Sequence, residues 1–189
     1  MAATAALVGM KIDYCMIKNG ITSYLLNSDK NSGRFNCYDV NGVNVILDYG
    51  HNSDGYNAVL SSLKKINNGK VYGVIGIPGD RADNAVKEIG EISAKYLDYI
   101  IIKEDQDLRG RSTGEVAKLI ERGILNYNKN KKYEIILKEE DALIKALTMA
   151  KSGDSIIIFF EKIEMLKKVI SNYVKERELI EKYKFDAIN

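Results

Sequence analysis

No tryptophan, one proline, one histidine and two cysteines occur in these 189 residues. Each scarcity closes a class of chemistry. A lone histidine, His51, cannot form a histidine metal cluster, and it leaves little around which to build a nucleophile–base triad. Cys15 and Cys37 are too few for a disulfide scaffold and match no metal-knuckle spacing, so both are expected to be reduced thiols in a cytoplasmic protein. No apolar run approaches the ~20 residues of a membrane helix, and the opening Met1–Met10 lacks a basic start. The formal net charge is only +2 and the basic residues are dispersed. Without an arginine-rich arm or an aromatic-and-basic stripe, nucleic acid is disfavoured as a partner. Two phosphate-binding signatures, G-x-x-x-x-G-K-[ST] and G-x-G-x-x-G, are also missing.

What is present is globular: 46% hydrophobic and 29% charged residues, in a length that suits one domain with short appendages. Met1–Met10 reads as the end of a helix, Asp13–Asn19 as a short helix stopped by Gly20, and Asn27–Gly33 as a polar linker. Arg34–Val40 and Val43–Leu47 are β-rich runs separated by Asn41-Gly42, the dipeptide that best suits a hairpin turn needing two positive φ angles. Strands then alternate with amphipathic helices: Val71–Ile75, Tyr99–Ile102, Glu134–Leu137 and Ser155–Phe160 against helices over 56–66, 85–96, 114–127, 141–150 and 164–181. That order predicts a doubly wound α/β domain, a Rossmann-like three-layer sandwich whose mostly parallel sheet carries an antiparallel N-terminal hairpin at its edge. The last helix carries Met165, Leu166, Val169, Ile170, Tyr173 and Val174, enough to pack on the domain or on a second copy in a homo-oligomer. Most of the twelve tyrosines, such as Tyr72, Tyr99 and Tyr133, fall beside core positions.

Ligands of such sheets bind beyond the carboxyl ends of the strands. The first of these loops, Asp48–Gly55, offers an aspartate able to accept bonds from a ribose diol, followed by His51 and Asn52; Ser53 or Asp54 can cap the next helix. The second, Gly76–Asp83, combines glycines, the sole proline Pro78, and Arg81, which can pair with a phosphate or with Asp80 or Asp83. The third, Lys103–Gly114, mixes Glu104, Asp105 and Asp107 with Arg109 and Arg111 around Gly110. Arginine forks hold carboxylates and the acids hold an amine or guanidinium, which suits an amino-acid substrate; the same charges can equally pair with one another. Thr113 and Glu115 suit the cap and first turn of the following helix.

The runs Gly33-Arg34-Phe35-Asn36 and Val45-Ile46-Leu47-Asp48-Tyr49-Gly50-His51-Asn52, with Gly79-Asp80-Arg81 further on, resemble the C-terminal domain of the Mur ligase family. The segments Tyr99–Arg111 and Phe160–Glu164 look most like the cyanophycin synthetase branch of that family. The likeness covers about residues 30–170. It implies that residues 1–33 are the remnant of a preceding central ATPase domain plus linker, and that 34–189 form the C-terminal domain. It further implies an ATP-dependent amide ligase, in which a substrate carboxylate becomes an acyl phosphate and an incoming amine displaces phosphate. By resemblance Asp48 meets the ribose, with Arg34, His51, Asn52 and Arg81 near the nucleotide, while Asp105, Asp107, Arg109 and Arg111 hold the amino substrate, aspartate or arginine. The P-loop and most Mg²⁺ contacts belong to the family's central domain, so the chain is expected to be inactive alone. The alternative is a stand-alone binding or regulatory relic of the ligase fold. The sequence departs from the family at Gly50, where an alanine is usual, and at Ser53, where a proline is usual.

Overall fold

The computed structural model describes residues 2–23 and 34–186, with side chains for 3–23 and 34–177. The expected linker Asn27–Gly33 lies outside the described residues. Two compact units separate at Ser32/Gly33. The first holds α1 (Ala2–Gly9) and α2 (Tyr14–Thr22). Asp13 stands just before α2 and caps it, its carboxylate accepting from the N–H groups of Cys15 and Met16. The helix continues through Gly20, where the sequence had suggested a stop.

The second unit is built on six strands: β1 (Asn36–Val40), β2 (Val43–Asp48), β3 (Val71–Ile75), β4 (Tyr99–Ile102), β5 (Tyr133–Ile135) and β6 (Ser155–Phe159). Five helices follow their strands: α3 (Ser53–Ile66), α4 (Asp83–Tyr96), α5 (Glu115–Tyr127), α6 (Glu139–Met149) and α7 (Ile163–Asp186). The sheet order is β1-β2-β6-β3-β4-β5, with β1–β2 antiparallel and every other pair parallel. The hairpin turns at Asn41 (φ 54°) and Gly42 (φ 79°), both in the left-handed region as the dipeptide foretold.

Burial on both faces explains the unbroken apolar runs of β3 and β6. In β6, Ile157 and Phe159 point to the core under α3, α4 and α5, whereas Ile156 and Ile158 point to the core under α6 and α7. The first core gathers Tyr56, Leu60, Val86, Ile89, Ile120 and Ile124; the second gathers Ala142, Leu143, Ala146, Leu147, Leu166 and Ile170. This is the expected three-layer sandwich.

The connections fix where a ligand can enter. From β2 the chain passes over the place of β6 to reach β3, then steps outward through β4 to β5. It returns across the other face, through α6, and inserts β6 between β2 and β3. Helices therefore leave neighbouring strand ends toward opposite faces at β6, and the crevice opens there.

Candidate functional site

A cleft sits at that crevice. It is lined by Tyr49, Gly50 and His51 after β2, Gly76 and Pro78 after β3, Lys103, Asp105 and Arg109 after β4, and Phe159–Glu161 at the end of β6. The three loops singled out in the sequence thus meet on one rim.

Asp48 ends β2 and is 6% exposed. Its Oδ2 accepts the N–H of Phe35 at 2.9 Å, and it is also hydrogen-bonded by the backbone of Gly50. Burial raises its pKa above the ordinary carboxylate value, partly opposed by those backbone bonds and by the charge of Arg34. The first of these bonds holds Phe35 in a left-handed conformation (φ 48°) and so fixes the approach of Arg34, whose guanidinium carbon lies 5.7 Å from the centre of the Tyr49 ring. His51 is half-buried; its Nδ1 lies 3.1 Å from the Tyr49 carbonyl oxygen. Asn52 is the N-cap of α3, its Oδ1 accepting the Gly55 N–H at 2.8 Å, so the cap falls just ahead of both expected candidates, Ser53 and Asp54.

Gly50 accounts for one family departure. A Cβ there would lie 2.8 Å from the Phe159 ring, which itself stacks on Tyr56 with centroids 3.6 Å apart. The Tyr56 hydroxyl donates to the Gly76 carbonyl at 2.6 Å, tying the floor of the cleft to the second loop.

The second and third loops form one body. A Cβ on Gly79 would lie 2.3 Å from the Leu108 carbonyl oxygen, so only glycine permits this backbone approach. Arg111 cross-links the pair: Nε donates to the Gly79 carbonyl, Nη2 to the Arg81 carbonyl and Asp83, and Nη1 to Glu115, all at 2.7–2.8 Å. Four of its five N–H groups are thereby committed inside the loops. Arg109 is exposed, has a left-handed backbone (φ 48°), donates from Nη1 to Asp80 at 2.8 Å, and takes a backbone turn from Asp107 Oδ1. The Arg109 hydrogen bond holds the Asp80 carboxyl below its ordinary pKa. Arg81 Nε is buried and stands 3.7 Å from Asp80 Oδ1, an ion-pair distance too long for a hydrogen bond.

Beneath the cleft lies a charged group that the sequence reading passed over. Lys103 is 1% exposed, and its Nζ makes 2.6 Å contacts to Asp105 Oδ1 and Glu139 Oε2. Burial alone would lower the lysine pKa; the nearby carboxylates, Glu139 and then Asp105, reverse this and leave it raised, so the ammonium stays charged. Glu139 Oε2 also accepts the Glu161 N–H, and Glu161 Oε2 accepts the Gln106 N–H. The Lys103 stem packs on Gly76, where a Cβ would come within 2.8 Å. Lys103 therefore joins the loops after β3, β4 and β5 directly, and the one after β6 through Glu139. Next to it, Glu104 accepts the N–H groups of Gly114 and Ala117 at 2.8 and 3.0 Å, capping α5 from the end of β4, the strand that precedes it. Gly114, not Thr113, is the N-cap residue of α5, and no side chain of its own caps the helix. A lysine directly after an interior strand was the available signal, since it must find buried counterions.

The model of the Mur ligase, glutamate ligase domain matches residues 33–159. The chain belongs to the Mur ligase family. This Mur ligase domain is 38% identical to the cyanophycin synthetase of Synechocystis sp. over 170 residues, covering 90% of this chain and 19% of that protein. It is 40% identical over 172 residues to that of Geminocystis herdmanii, covering 89% and 20%. A Clostridioides difficile UDP-N-acetylmuramoyl-L-alanyl-D-glutamate–2,6-diaminopimelate ligase is 34% identical over 128 residues, covering 67% of the chain and 26% of that enzyme. The chain thus spans about a fifth of the cyanophycin synthetases it matches. Among solved structures, a UDP-N-acetylmuramoyl-L-alanyl-D-glutamate–2,6-diaminopimelate ligase aligns with TM-score 0.66 at 16% identity, covering 91% of this chain and 37% of that one. E. coli FolC in complex with ADP aligns with TM-score 0.56 at 19% identity, covering 91% and 36%. These two share the fold of the Mur ligase domain. Among the described residues, no helix is long and apolar enough to cross a membrane.

Proposed function

We propose that the chain is the C-terminal domain of an ATP-dependent amide ligase of the cyanophycin synthetase kind, which contacts the ribose and adenine of ATP and presents the amino substrate, and which does not catalyse ligation alone. The observation that carries this is the convergence of the loops after β2, β3, β4 and β6 on one cleft, with Asp48 buried at the end of β2.

Each Asp48 oxygen has two lone pairs, so the carboxylate can accept ribose hydroxyls while keeping its backbone bonds. His51 packs on Tyr49 within the loop after β2, Arg34 reaches Tyr49 from the segment before β1, and Asn52 retains its amide N–H₂ after capping α3 with its oxygen. Arg81 reaches the nucleotide from the second loop. For the amino substrate, Asp105 and Asp107 provide acceptors for an amine or guanidinium, and Arg109 provides a fork for a carboxylate once it leaves Asp80. Arg111 serves this site by holding the loops that carry Arg109 in register. In the reaction, attack of the amine on an acyl phosphate expels phosphate; the domain's part is to orient the amine and keep water away from the mixed anhydride. Mg²⁺ is assigned mainly to the central P-loop domain, and residues 1–33 to the end of that domain and the linker. The large apolar side chains exposed between Leu7 and Ile21, including Val8, Met10, Met16 and Ile21, support an interface there.

The test is direct. Purified chain given ATP, Mg²⁺, aspartate, arginine and a peptide primer should release no phosphate. ADP should bind weakly, shifting the amide resonances of Tyr49–Asn52, and Asp48→Asn should abolish those shifts. Turnover by the chain alone, or nucleotide shifts centred elsewhere, would overturn the reading.

A further inference from the structure

We propose that the opposite rim of the sheet holds a second binding site, specific for a small polyvalent anion and separate from the cleft above. At the amino-terminal ends of β3, β4 and β5 lies a surface cavity of about 440 Å³. Its wall carries Lys70 from the loop before β3, Asp98 just before β4, and Asn130, Lys131 and Lys132 from the loop before β5; Tyr72 and Tyr99 form another side. The volume falls in the ~300–1,000 Å³ range of small-ligand sites.

Three observations favour an anion. First, none of the three ammonium groups is in an ion pair among the described residues, while Lys131 is half-buried. Its burial pushes its pKa below the ordinary lysine value, with Asp98 opposing and the nearby Lys64 reinforcing that shift. An unpaired, partly desolvated ammonium is stabilised by any anion that reaches it.

Second, the carboxylates around the cavity are occupied. Asp98 Oδ2 accepts the Val71 N–H at 2.8 Å and faces Lys64 at 3.6 Å. Asp154 accepts the N–H groups of Lys70 and Lys151. Glu134 accepts the Tyr99 hydroxyl and pairs with Lys145. Three lysines line the cavity against the single carboxylate of Asp98, so positive charge prevails there although the whole chain carries only +2.

Third, helix ends do not account for these lysines. The field of a helix C-terminus acts within its last turn. Lys64 and Lys65 occupy that place in α3, but Lys70, Lys131 and Lys132 lie beyond the helices, beside strand starts.

Lysine is a point charge without a planar fork, so the site reads charge and spacing, not the shape of one acid group. Phosphate and carboxylate oxygens share this chemistry. Because the ammonium groups come from two loops, the ligand must bear several anionic groups and bridge them.

The experiment is an amide NMR titration of the intact chain at about 0.15 M salt with sodium tripolyphosphate and, separately, with citrate. Saturable shifts at Lys70, Tyr99, Lys131 and Lys132 with either probe are expected, and the probe that binds more tightly names the anion class. The double variant Lys131→Gln/Lys132→Gln should weaken that binding roughly tenfold while the rest of the spectrum is unchanged. Shifts that grow linearly and are matched by sodium chloride, binding indifferent to the double variant, or saturation only at Tyr49–Asn52 would each overturn the proposal. Since the two rims report through different resonances, loss of nucleotide binding at the cleft leaves this result legible.

Discussion

Lys103 shows what a single side chain contributes to the rim. Replacing it with the neutral isostere, Lys103→Met, would leave Asp105 and Glu139 charged and largely dry, a situation that costs about 3–5 kcal/mol. A urea unfolding series should show that loss, and Lys103→Met/Glu139→Gln should return part of it. Tyr99 gives a pH signature. Burial, then the hydrogen bond to Glu134, pushes its pKa up to about 12. The folded protein therefore holds a proton that the unfolded chain releases near pH ~10. Stability should fall as pH rises from about 10 to 12, and Tyr99→Phe should remove that component. ¹³C NMR of the tyrosine rings and unfolding at a series of alkaline pH values would check both. Residue roles were only partly legible beforehand. That Asp48 would stand at a strand end was readable from residue type and position. The partnership of Lys103 with Glu139 was not, because it joins residues from separate βα units that meet only once the order β3-β4-β5 and the crossing of α6 are set. The helix-capping bond of the Asn52 oxygen was likewise not foreseen, since Ser53 and Asp54 were the expected caps.

At the level of elements, periodicity did well wherever burial was one-sided or total. The hairpin and the alternating strands and helices all appear in the structure: β3 and β4 match their expected bounds, the other ends shift by at most three residues, and α7 runs five residues past the expected end at Glu181. At α5 the first turn is held by Glu104, a bond that periodicity does not reveal. The α4–α5 contact was invisible in the sequence. Gly90 and Gly123 let these helices touch: a Cβ on Gly90 would lie 2.2 Å from the Ile120 carbonyl oxygen, and one on Gly123 would lie 1.9 Å from the Lys87 carbonyl oxygen. Glycine to alanine in a helix interior ordinarily gains up to about 1 kcal/mol. Here the obstacle is backbone, which cannot swing aside. Gly123→Ala should instead destabilise by about 1–3 kcal/mol, seen as a lower Tm by calorimetry.

At the scale of the molecule, both hydrophobic cores draw, among the described residues, only on those from Phe35 onward. A chain beginning at Gly33 is therefore expected to unfold as cooperatively as the full chain, with a single transition by circular dichroism and fluorescence. A biphasic transition or loss of folding would show that residues 1–32 complete a core. The doubly wound architecture was readable from the βα alternation, whereas the insertion of β6 between β2 and β3 was not, since strand order depends on which face each crossover covers.

The five-residue span of β3 has one more implication. At about 3.3 Å per residue, the six steps from Lys70 to Gly76 span roughly 20 Å, about two and a half times the screening length of physiological salt. A charge arriving at one end of the rod is electrically almost silent at the other. Any conversation between the two ends would have to pass mechanically, as movement of the strand itself.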